Sequence, residues 1–261
     1  MPTDRPLEGR TAIVTGAAGR LGSEFSRALC SAGAHVVLAD TDIEGARKLE
    51  HFLSETGTTK AHRLDISNPA SVQDLVKAVP DPDILVNNAF FNPSIGQKEE
   101  TKRLETFPLD LWKEVIDVNL TGTFLCSQAI GGLMAKNSGG SIINISSIYG
   151  MVGADQRIYG DSGLNSQPSY AATKGAILSM TRYMAAYWRG RNVRVNTLTL
   201  GGVLDKSYMK DEFIKSYSER TILGRMADRT EYNGALLFLA SDASSYMTGS
   251  NLVIDGGWTA W

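Results

Sequence analysis

Short apolar runs alternate with longer segments of helical periodicity along the whole chain. The runs are rich in β-branched residues and nearly continuous in their apolar character, which is typical of strands buried on both faces of a parallel sheet. They are Thr11–Thr15, His35–Ala39, Lys60–Leu64, Ile84–Asn87, Ser141–Ile145, Val193–Thr197 and Leu252–Ile254. The helical segments between them are Leu21–Ala32, Ile43–Glu55, Ala70–Ala78, Leu109–Lys136, Ser169–Arg189 and Thr230–Ala240.

This alternation predicts an α/β fold: a single-domain, Rossmann-type doubly wound sheet of about seven mostly parallel strands, with helices on both faces. No shift in composition marks a boundary, so residues 1–261 are expected to form one domain. Two stretches, Phe90–Phe107 and Tyr149–Pro168, fit neither pattern. Unpatterned segments of that length inside a compact domain are usually functional loops or lids.

Composition narrows the class of protein. A chain of 261 residues that is 43% hydrophobic can bury one large core. The formal net charge of −2, with scattered lysines and arginines, provides no basic footprint for nucleic acid. The three histidines, His35, His51 and His62, share no ligand spacing, so no metal site is expected.

The remaining features predict a soluble, cytoplasmic protein that does not enter a membrane. Cys30 and Cys126 lie in apolar, helix-like surroundings, which favours two reduced thiols over a disulfide. The first residues, Met1–Pro6, lack the charged and apolar regions of a signal peptide. The longest apolar stretch, Val115–Met134, contains Asp117 and other polar residues, which is typical of a buried helix and not of a membrane span.

A glycine-rich turn joins the first strand to the first long helix. It contains Gly16, Gly19, Arg20, Leu21 and Gly22. In a dinucleotide-binding fold, such a turn brings backbone N–H groups and a helix N-terminus to a pyrophosphate, and glycines allow the close approach. A plain strand–helix connection with no ligand has the same appearance, so the turn alone leaves both interpretations open.

Asp40 at the end of the second strand favours the cofactor interpretation. A carboxylate there can accept hydrogen bonds from both hydroxyls of an adenosine ribose and would repel a 2′-phosphate, which favours NAD over NADP. Arg20 is an argument for NADP, because a guanidinium in this turn could meet a phosphate. Asp40 has the greater weight because its charge would lie beside the 2′ position itself.

Tyr170 and Lys174 form a Tyr-x-x-x-Lys pair, and Ser147 precedes them at the end of the fifth strand. Together with the glycine turn, these residues resemble the classical short-chain dehydrogenase/reductase family, and the resemblance extends from about Arg10 to Gly257. It implies a dinucleotide-binding N-terminal half and substrate-binding elements in the C-terminal half. It also implies that Asn119, Ser147, Tyr170 and Lys174 are the catalytic residues.

The resemblance assigns cofactor contacts beyond the turn. Asp65 and Ile66, at the end of the third strand, would hold the adenine ring. Asn88 and Ala89 belong to a motif that resembles the family's Asn-Asn-Ala-Gly, and the backbone of Val203 would contact the nicotinamide. Tyr170 and Lys174 would also touch the cofactor, with Lys174 on the nicotinamide ribose.

Several positions depart from the family pattern. Arg20 stands where the middle glycine is more common, Phe90 replaces the glycine after Ala89, and Leu200 replaces a proline. Asp205 stands where a threonine often fixes the nicotinamide amide, which puts that contact in doubt.

The segment between Ser147 and Tyr170 is longer than usual, and the extra residues lie within Ala154–Gln167. Arg157 and Tyr159 in this insert, together with Ser147 and Tyr170, are the candidate substrate residues. A polar insert of this kind suits a polyhydroxylated or anionic substrate. A loop that only packs on a neighbouring subunit is the alternative. More distantly, the insert and the C-terminal sequence Asp255–Trp261 resemble bacterial reductases of the PtmA type, which are linked to nonulosonic acid sugar synthesis.

The chemistry follows from the residue types. Free tyrosine titrates near pH 10, and a lysine one helical turn away is expected to lower the pKa of Tyr170, so that it can act as acid and base. Tyr170 would exchange a proton with an alcohol or carbonyl substrate, Ser147 would bind the reacting oxygen, and Asn119 would hold a water in a proton relay. The predicted function is an NAD(H)-dependent oxidoreductase that interconverts an alcohol and a ketone or aldehyde, on a sugar or sugar derivative.

Two further expectations complete the sequence picture. A cofactor-binding regulatory or scaffold protein without turnover is the alternative function, although a matched acid/base pair argues against it. A homotetramer or a dimer is expected, built on the segments Leu109–Lys136 and Ser169–Arg189. Trp258 and Trp261 suit either a subunit contact or a wall of the substrate pocket.

Overall fold

The structure is a computed structural model that describes residues 5–92, 103–162 and 164–261. Across these ranges, seven strands form one sheet in the order β3-β2-β1-β4-β5-β6-β7, and every neighbouring pair is parallel. The prediction of about seven mostly parallel strands is confirmed. The strands are β1 (Thr11–Thr15), β2 (His35–Asp40), β3 (Thr59–Arg63), β4 (Ile84–Asn87), β5 (Gly140–Ser147), β6 (Val193–Leu200) and β7 (Asn251–Ile254).

Helices cover both faces of the sheet because successive strand residues point to opposite sides. The α-helices are α1 (Arg20–Ser31), α2 (Ile43–Leu53), α3 (Pro69–Ala78), α4 (Leu109–Ile116), α5 (Thr123–Lys136), α6 (Pro168–Tyr187), α7 (Asp211–Ser218) and α8 (Asn233–Ala240). Ile13 and Val37 pack with α3, α5 and α6, whereas Val14 and Val36 pack with α1 and α8. Within the described ranges, no helix is both long and apolar enough to cross a membrane.

The predicted helix Leu109–Lys136 is interrupted. One π-helical turn, Asp117–Gly122, separates α4 from α5. Gly122 lies so close to Ile66 that a Cβ on it would be 2.7 Å from the Ile66 side chain. A π turn adds one residue to the helix and shifts the faces on either side, a change that a regular apolar stripe does not reveal.

Other differences are smaller. The predicted strand Lys60–Leu64 is displaced by one residue, and the predicted helix Thr230–Ala240 begins as a 3₁₀ turn over Arg229–Tyr232. Helix α7 was not predicted from the sequence. Two short 3₁₀ turns, Ile148–Gly150 and Gln156–Ser162, fall in or at the start of the stretch Tyr149–Pro168. Gly163, within that stretch, lies outside the described residues. Much of the other unpatterned stretch, residues 93–102, also lies outside them.

The strand order determines where a ligand can bind. The chain winds outward from β1 to β3 and then crosses to β4 on the other side of β1, so the crevice opens at the carboxyl ends of β1 and β4. Ligands of doubly wound sheets bind at such a switch point. The glycine turn, Asp40, Asn88 and Ser147 all follow or end strands at this edge.

Candidate active site

The turn after β1 is tight enough to exclude side chains at two positions. Gly16 adopts φ +67°, and a Cβ on it would lie 2.8 Å from Ala89 Cα. A Cβ on Gly22 would overlap the carbonyl of Gly16. Gly19 is the N-cap residue of α1 and brings no side chain to the first N–H groups of the helix. This cradle fits a pyrophosphate, because those N–H groups and the helix dipole face an open edge of the sheet.

The floor of the crevice is held by the residues that follow β4. The backbone N–H groups of Asn88 and Ala89 both donate to Thr15 Oγ1 at 3.0 Å. The side-chain amide of Asn88 donates to the carbonyls of Thr15 and Gly16 at 3.0 and 3.2 Å. Asn88 and Ala89 therefore shape the glycine turn, and no chain segment can shift there without breaking several buried hydrogen bonds.

Asp40 lies beside the same turn. Its Oδ2 accepts a hydrogen bond from the Ala18 N–H at 2.9 Å, and its Oδ1 accepts one from the Asp42 N–H at 2.9 Å. The carboxylate is half-buried at the end of β2, next to the proposed phosphate cradle. A role for Asp40 in selecting the ribose of NAD over the 2′-phosphate of NADP stays a prediction.

Asp65 and Ile66 follow β3, the neighbouring strand. Asp65 Oδ1 accepts hydrogen bonds from the Ser67 N–H at 2.9 Å and the Ser67 hydroxyl at 2.6 Å, so the carboxylate closes a local turn. Ile66 is buried against the π turn at Gly122. Both residues lie at the same edge of the sheet as Asp40.

Arg20 contacts the segment that follows β6, on the other side of the crevice. It forms an ion pair with Asp205 at 2.5 Å, donates to Tyr208 Oη at 3.2 Å and to the Leu204 carbonyl at 3.4 Å, and lies over the Tyr208 ring. Val203 stands just before this segment, in a bridge to Ala227. The Arg20 guanidinium, which in the sequence favoured NADP, thus forms an ion pair with a carboxylate on the other side of the crevice.

The predicted catalytic residues converge at the end of β5. Ser147 ends β5, and its side chain acts on the phenol of Tyr170, whose pKa it lowers. Lys174, one turn further along α6, is buried, and its Nζ donates to the Ile145 carbonyl at 2.9 Å. The same Nζ lies 5.6 Å from the centroid of the Tyr170 ring and 5.3 Å from that of Phe90.

Burial controls the titration of this pair. It lowers the pKa of Lys174 to about 8, because a buried ammonium loses hydration. Burial also raises the pKa of Tyr170, and the side chain of Ser147 offsets only part of that rise. The expected lowering of the phenol pKa by Lys174 is therefore not observed, because a lysine with a pKa of about 8 has lost its charge at the higher pH where this phenol ionises.

Helix α6 is fixed to the sheet by a buried polar network. The Asn87 amide donates to Asn144 Oδ1 at 2.8 Å, and the Asn144 amide donates to Thr181 Oγ1 at 2.9 Å. Ser146 Oγ donates to the Lys174 carbonyl at 2.9 Å. Such a network holds α6 in one position relative to β5, which sets the distance between Tyr170 and Ser147.

Asn119 lies in the π turn, on the same side of the molecule. Its Oδ1 accepts from the Phe91 N–H at 2.6 Å, and its Nδ2 donates to the Phe91 carbonyl at 3.0 Å. The carboxamide thus holds the segment after β4. The role of Asn119 in holding a water stays a prediction, and the carboxamide is already engaged by backbone in this structure.

The insert between Ser147 and Tyr170 is held closed at its base. Gln156 and Ser166 exchange two hydrogen bonds, at 2.8 and 3.2 Å. Asp155 accepts a bidentate pair from Arg157 at 2.8 and 2.9 Å and an ion pair from Arg220 at 2.8 Å. Arg157 is 76% exposed, so a role in gripping an anion, which stays a prediction, requires it to leave Asp155.

Tyr159 from the insert packs in the same apolar cluster as Tyr149. Its ring lies against that of Phe213, with centroids 5.4 Å apart. Burial raises the pKa of both Tyr149 and Tyr159, so both phenols are protonated near neutral pH. Tyr159 also acts electrostatically on Tyr170 and raises its pKa, so the insert brings a hydroxyl group into electrostatic range of Tyr170.

Two tyrosines near this site, Tyr149 and Tyr217, were not predicted from the sequence. Tyr149 follows Ser147 by two residues, a spacing that could have indicated it. Tyr217 on α7 had no sequence signal; its hydroxyl accepts from the Gly202 N–H at 2.5 Å, and its ring packs on Trp258 with centroids 4.4 Å apart. Trp258 is buried in this cluster, whereas Trp261 is 76% exposed.

This sheet, cradle and Ser-Tyr-Lys set define the class of nicotinamide-dependent oxidoreductases. Residues 16–259 match the family model described as enoyl-(acyl carrier protein) reductase. The chain belongs to the short-chain dehydrogenase/reductase family, as the sequence predicted. It is an oxidoreductase that acts on CH–OH groups.

Individual relatives match nearly the full chain. Galactitol 2-dehydrogenase (L-tagatose-forming) of Cereibacter sphaeroides is 33% identical, over 98% of this chain and 97% of that protein. D-threitol dehydrogenase of Mycolicibacterium smegmatis is 34% identical, over 98% and 95%. The crystal structure of a gluconate 5-dehydrogenase from Burkholderia cenocepacia, in complex with NADP and tartrate, has a TM-score of 0.86 and 31% identity, over 99% and 98%.

Proposed function

We propose that the protein is an NAD(H)-dependent oxidoreductase that interconverts an alcohol and a ketone through Ser147, Tyr170 and Lys174. The observation that carries the proposal is the position of the Lys174 ammonium, which is buried and lies 5.6 Å from the centroid of the Tyr170 ring, while the side chain of Ser147 lowers the pKa of the same phenol. A phenol with a neighbouring hydroxyl and ammonium suits proton transfer to or from a substrate oxygen. The nicotinamide, when bound, supplies or accepts the hydride.

Tyr170, Ser147 and Lys174 each have a separate role in the proposed proton transfer. In alcohol oxidation, Tyr170 takes the hydroxyl proton; in ketone reduction, it donates that proton. Ser147 donates to the reacting oxygen and keeps it within reach of the phenol. Lys174, with a pKa near 8, can be protonated or neutral at physiological pH, so it can stabilise the phenolate or relay its proton. Its ammonium also suits the hydroxyls of the nicotinamide ribose.

Preference for NAD over NADP is part of the proposal. Asp40 supports it, because its carboxylate lies against the glycine turn through the Ala18 N–H. Arg20 does not offset this charge, since its guanidinium is engaged with Asp205 on the far lip. The gluconate 5-dehydrogenase with a similar fold was solved with NADP, so the cofactor preference has to be measured on this protein itself.

A polyhydroxylated substrate, such as a sugar alcohol or ketose, is the proposed substrate class. Tyr149 and Tyr159 support it, because their phenols are protonated at neutral pH and lie within electrostatic range of Tyr170. Hydroxyl groups on a substrate would exchange hydrogen bonds with them, whereas an apolar substrate would leave them unsatisfied. The relatives named for galactitol and D-threitol act on molecules of this kind.

A homotetramer or dimer built on α4, α5 and α6 is proposed as the assembly. Tyr183 and Tyr187 on α6 are each 70% exposed and stack on one another, and Leu109 and Phe124 are exposed on α4 and α5. Association of two copies through these helices would cover such apolar rings. A monomeric mass in light scattering at micromolar concentration would contradict this assembly.

One experiment separates the proposed enzyme from the alternative, a regulatory or scaffold protein that binds cofactor without turnover. NADH binding is first measured by fluorescence, and NADH consumption is then followed with a panel of ketoses and other carbonyl compounds. Turnover with any ketose supports the proposal. Binding without consumption across the panel favours the scaffold, and failure to bind either NADH or NADPH excludes both.

A further inference from the structure

An ion pair joins the two lips of the cofactor crevice, which are the glycine turn before α1 and the segment after β6. Arg20 begins α1, just after β1, and Asp205 follows β6. In the sheet, β4 and β5 lie between β1 and β6. The ion pair therefore crosses the carboxyl ends of β4 and β5, where Ser147 is the last residue of β5. Arg20 Nη1 lies 2.5 Å from Asp205 Oδ2, and the two residues are 42% and 18% exposed.

The guanidinium is held on the far lip by more than this one carboxylate. It also donates to Tyr208 Oη at 3.2 Å and to the Leu204 carbonyl at 3.4 Å, and it stacks over the Tyr208 ring at 5.4 Å from the centroid. Hydrogen bonds from Ser207, with the charge of Arg20 in addition, hold the pKa of Asp205 below its usual range. Asp205 is therefore ionised at neutral pH, and the contact is a full ion pair.

The near lip is the phosphate cradle itself. Arg20 is the first residue of α1, directly after the N-cap Gly19, so its backbone N–H is one of those that face a bound anion. A pyrophosphate on this helix terminus brings two negative charges next to the Arg20 side chain. Arg20 then has two candidate anionic partners, the pyrophosphate and Asp205.

We propose that Asp205 competes with the cofactor's pyrophosphate for Arg20, so that this ion pair limits cofactor affinity and speeds cofactor release. The inference rests on the proposed nicotinamide cofactor. Without cofactor, Arg20 forms its ion pair with Asp205, across the crevice. When cofactor binds, the Arg20 side chain pairs with the pyrophosphate instead, and its ion pair with Asp205 is broken. Binding is weakened by the ion pair that has to be given up.

Competition between Asp205 and the pyrophosphate for Arg20 can be distinguished from direct charge repulsion between Asp205 and the phosphates. Replacing Asp205 with asparagine removes the charge but keeps the oxygen that accepts from the Ser207 N–H at 2.8 Å. If Arg20 is the object of the competition, this change tightens cofactor binding only while Arg20 is present. If Asp205 merely repels the phosphates, the same change tightens binding whether or not Arg20 is present.

The experiment is a double-mutant cycle of Asp205→Asn and Arg20→Gln, with NADH affinity and dissociation rate measured by fluorescence. We expect Asp205→Asn to lower the Kd of NADH by about fivefold, the size that an exposed ion pair supports. Release should slow correspondingly. In the Arg20→Gln background, the same substitution should change the Kd by less than about twofold. Asp211→Asn, at an exposed acid in the first turn of α7, is the matched control and should leave the Kd unchanged.

A cofactor-free measurement tests the ion pair separately. Hydrogen exchange of the backbone amides in Leu204–Met209 should be faster in both single variants than in the parent, because the segment loses its tie to α1. An Asp205→Asn variant with unchanged or weaker NADH binding overturns the inference, as does equal tightening in both backgrounds. If the parent binds neither NADH nor NADPH, the proposed function falls as well; if the parent binds and only the cycle fails, the proposed function stands.

Discussion

The Nζ of Lys174 lies 5.6 Å from the centroid of the Tyr170 ring, one turn away on α6. The same Nζ donates a hydrogen bond to the Ile145 carbonyl at 2.9 Å, which joins α6 to β5. The buried network from Asn87 through Asn144 to Thr181 keeps strand and helix in that relation. The proposed proton transfer depends on this geometry.

Tyr170→Phe is expected to lower kcat by about 100-fold or more, because the substitution removes the transferable proton and little else. NADH affinity should stay within about twofold of the parent, since no charge changes. Steady-state kinetics on a ketose and fluorescence titration of NADH are the measurements. Tyr183→Phe, at an exposed tyrosine on the same helix, is the control. Residual activity within tenfold of the parent would mean that Tyr170 is not the acid/base.

Asp40→Ala and Asp40→Ser are expected to narrow the preference for NAD(H) over NADP(H) by about tenfold, because they remove a negative charge beside the 2′ position. The ratio of kcat/KM for the two cofactors measures the preference. The assignment of Asp40 fails if the unmodified protein binds NADP(H) as well as NAD(H), or better.

Lys174 should make the cofactor-free protein more stable as the pH rises. Its pKa is lowered from 10.5 to about 8 in the folded state. Between those values the unfolded chain binds more protons, so the free energy of unfolding increases with pH across that window. Below about pH 8, lysine is charged in both states and the full cost of burying the ammonium remains.

Lys174→Met isolates this contribution, because it keeps the length of the side chain without the charge. Urea unfolding of parent and variant at about pH 7 and about pH 10 gives the difference in unfolding free energy at each pH. We expect the parent to gain stability relative to the variant on going to the higher pH. A difference that is the same at both pH values would show that Lys174 is not destabilised by burial.

The insert is tested by Tyr159→Phe and Arg157→Ala. Tyr159→Phe is expected to lower kcat/KM for a polyol by about tenfold, because a hydrogen bond to a substrate hydroxyl is lost next to Tyr170.

Arg157→Ala is expected to raise the KM for a sugar acid such as gluconate, since a guanidinium released from Asp155 can pair with a carboxylate. NADH affinity should be unchanged in both. Unchanged kcat/KM in both variants would leave the insert as a packing loop.

The fold could be predicted from the sequence to a large extent. Each apolar run became a strand because a parallel sheet covered by helices on both faces requires continuous burial, and local composition records that requirement. The glycine turn, Asp40 and Ser147 were likewise predictable, because each stands at a strand end, and the carboxyl ends of parallel strands meet at one edge. The Tyr170–Lys174 spacing placed both side chains on one helical face.

Only the tertiary structure decided which of these residues touch. The ion pair between Arg20 and Asp205, the contact of Tyr159 with Tyr149, the π turn at Asn119 and the position of α7 have no periodic signal in the sequence. The pKa of Lys174 also depends on how completely neighbouring segments exclude water, which no local pattern records. Periodicity reports whether a residue is buried within its own helix or strand, whereas contacts between loops depend on the path of the chain through space.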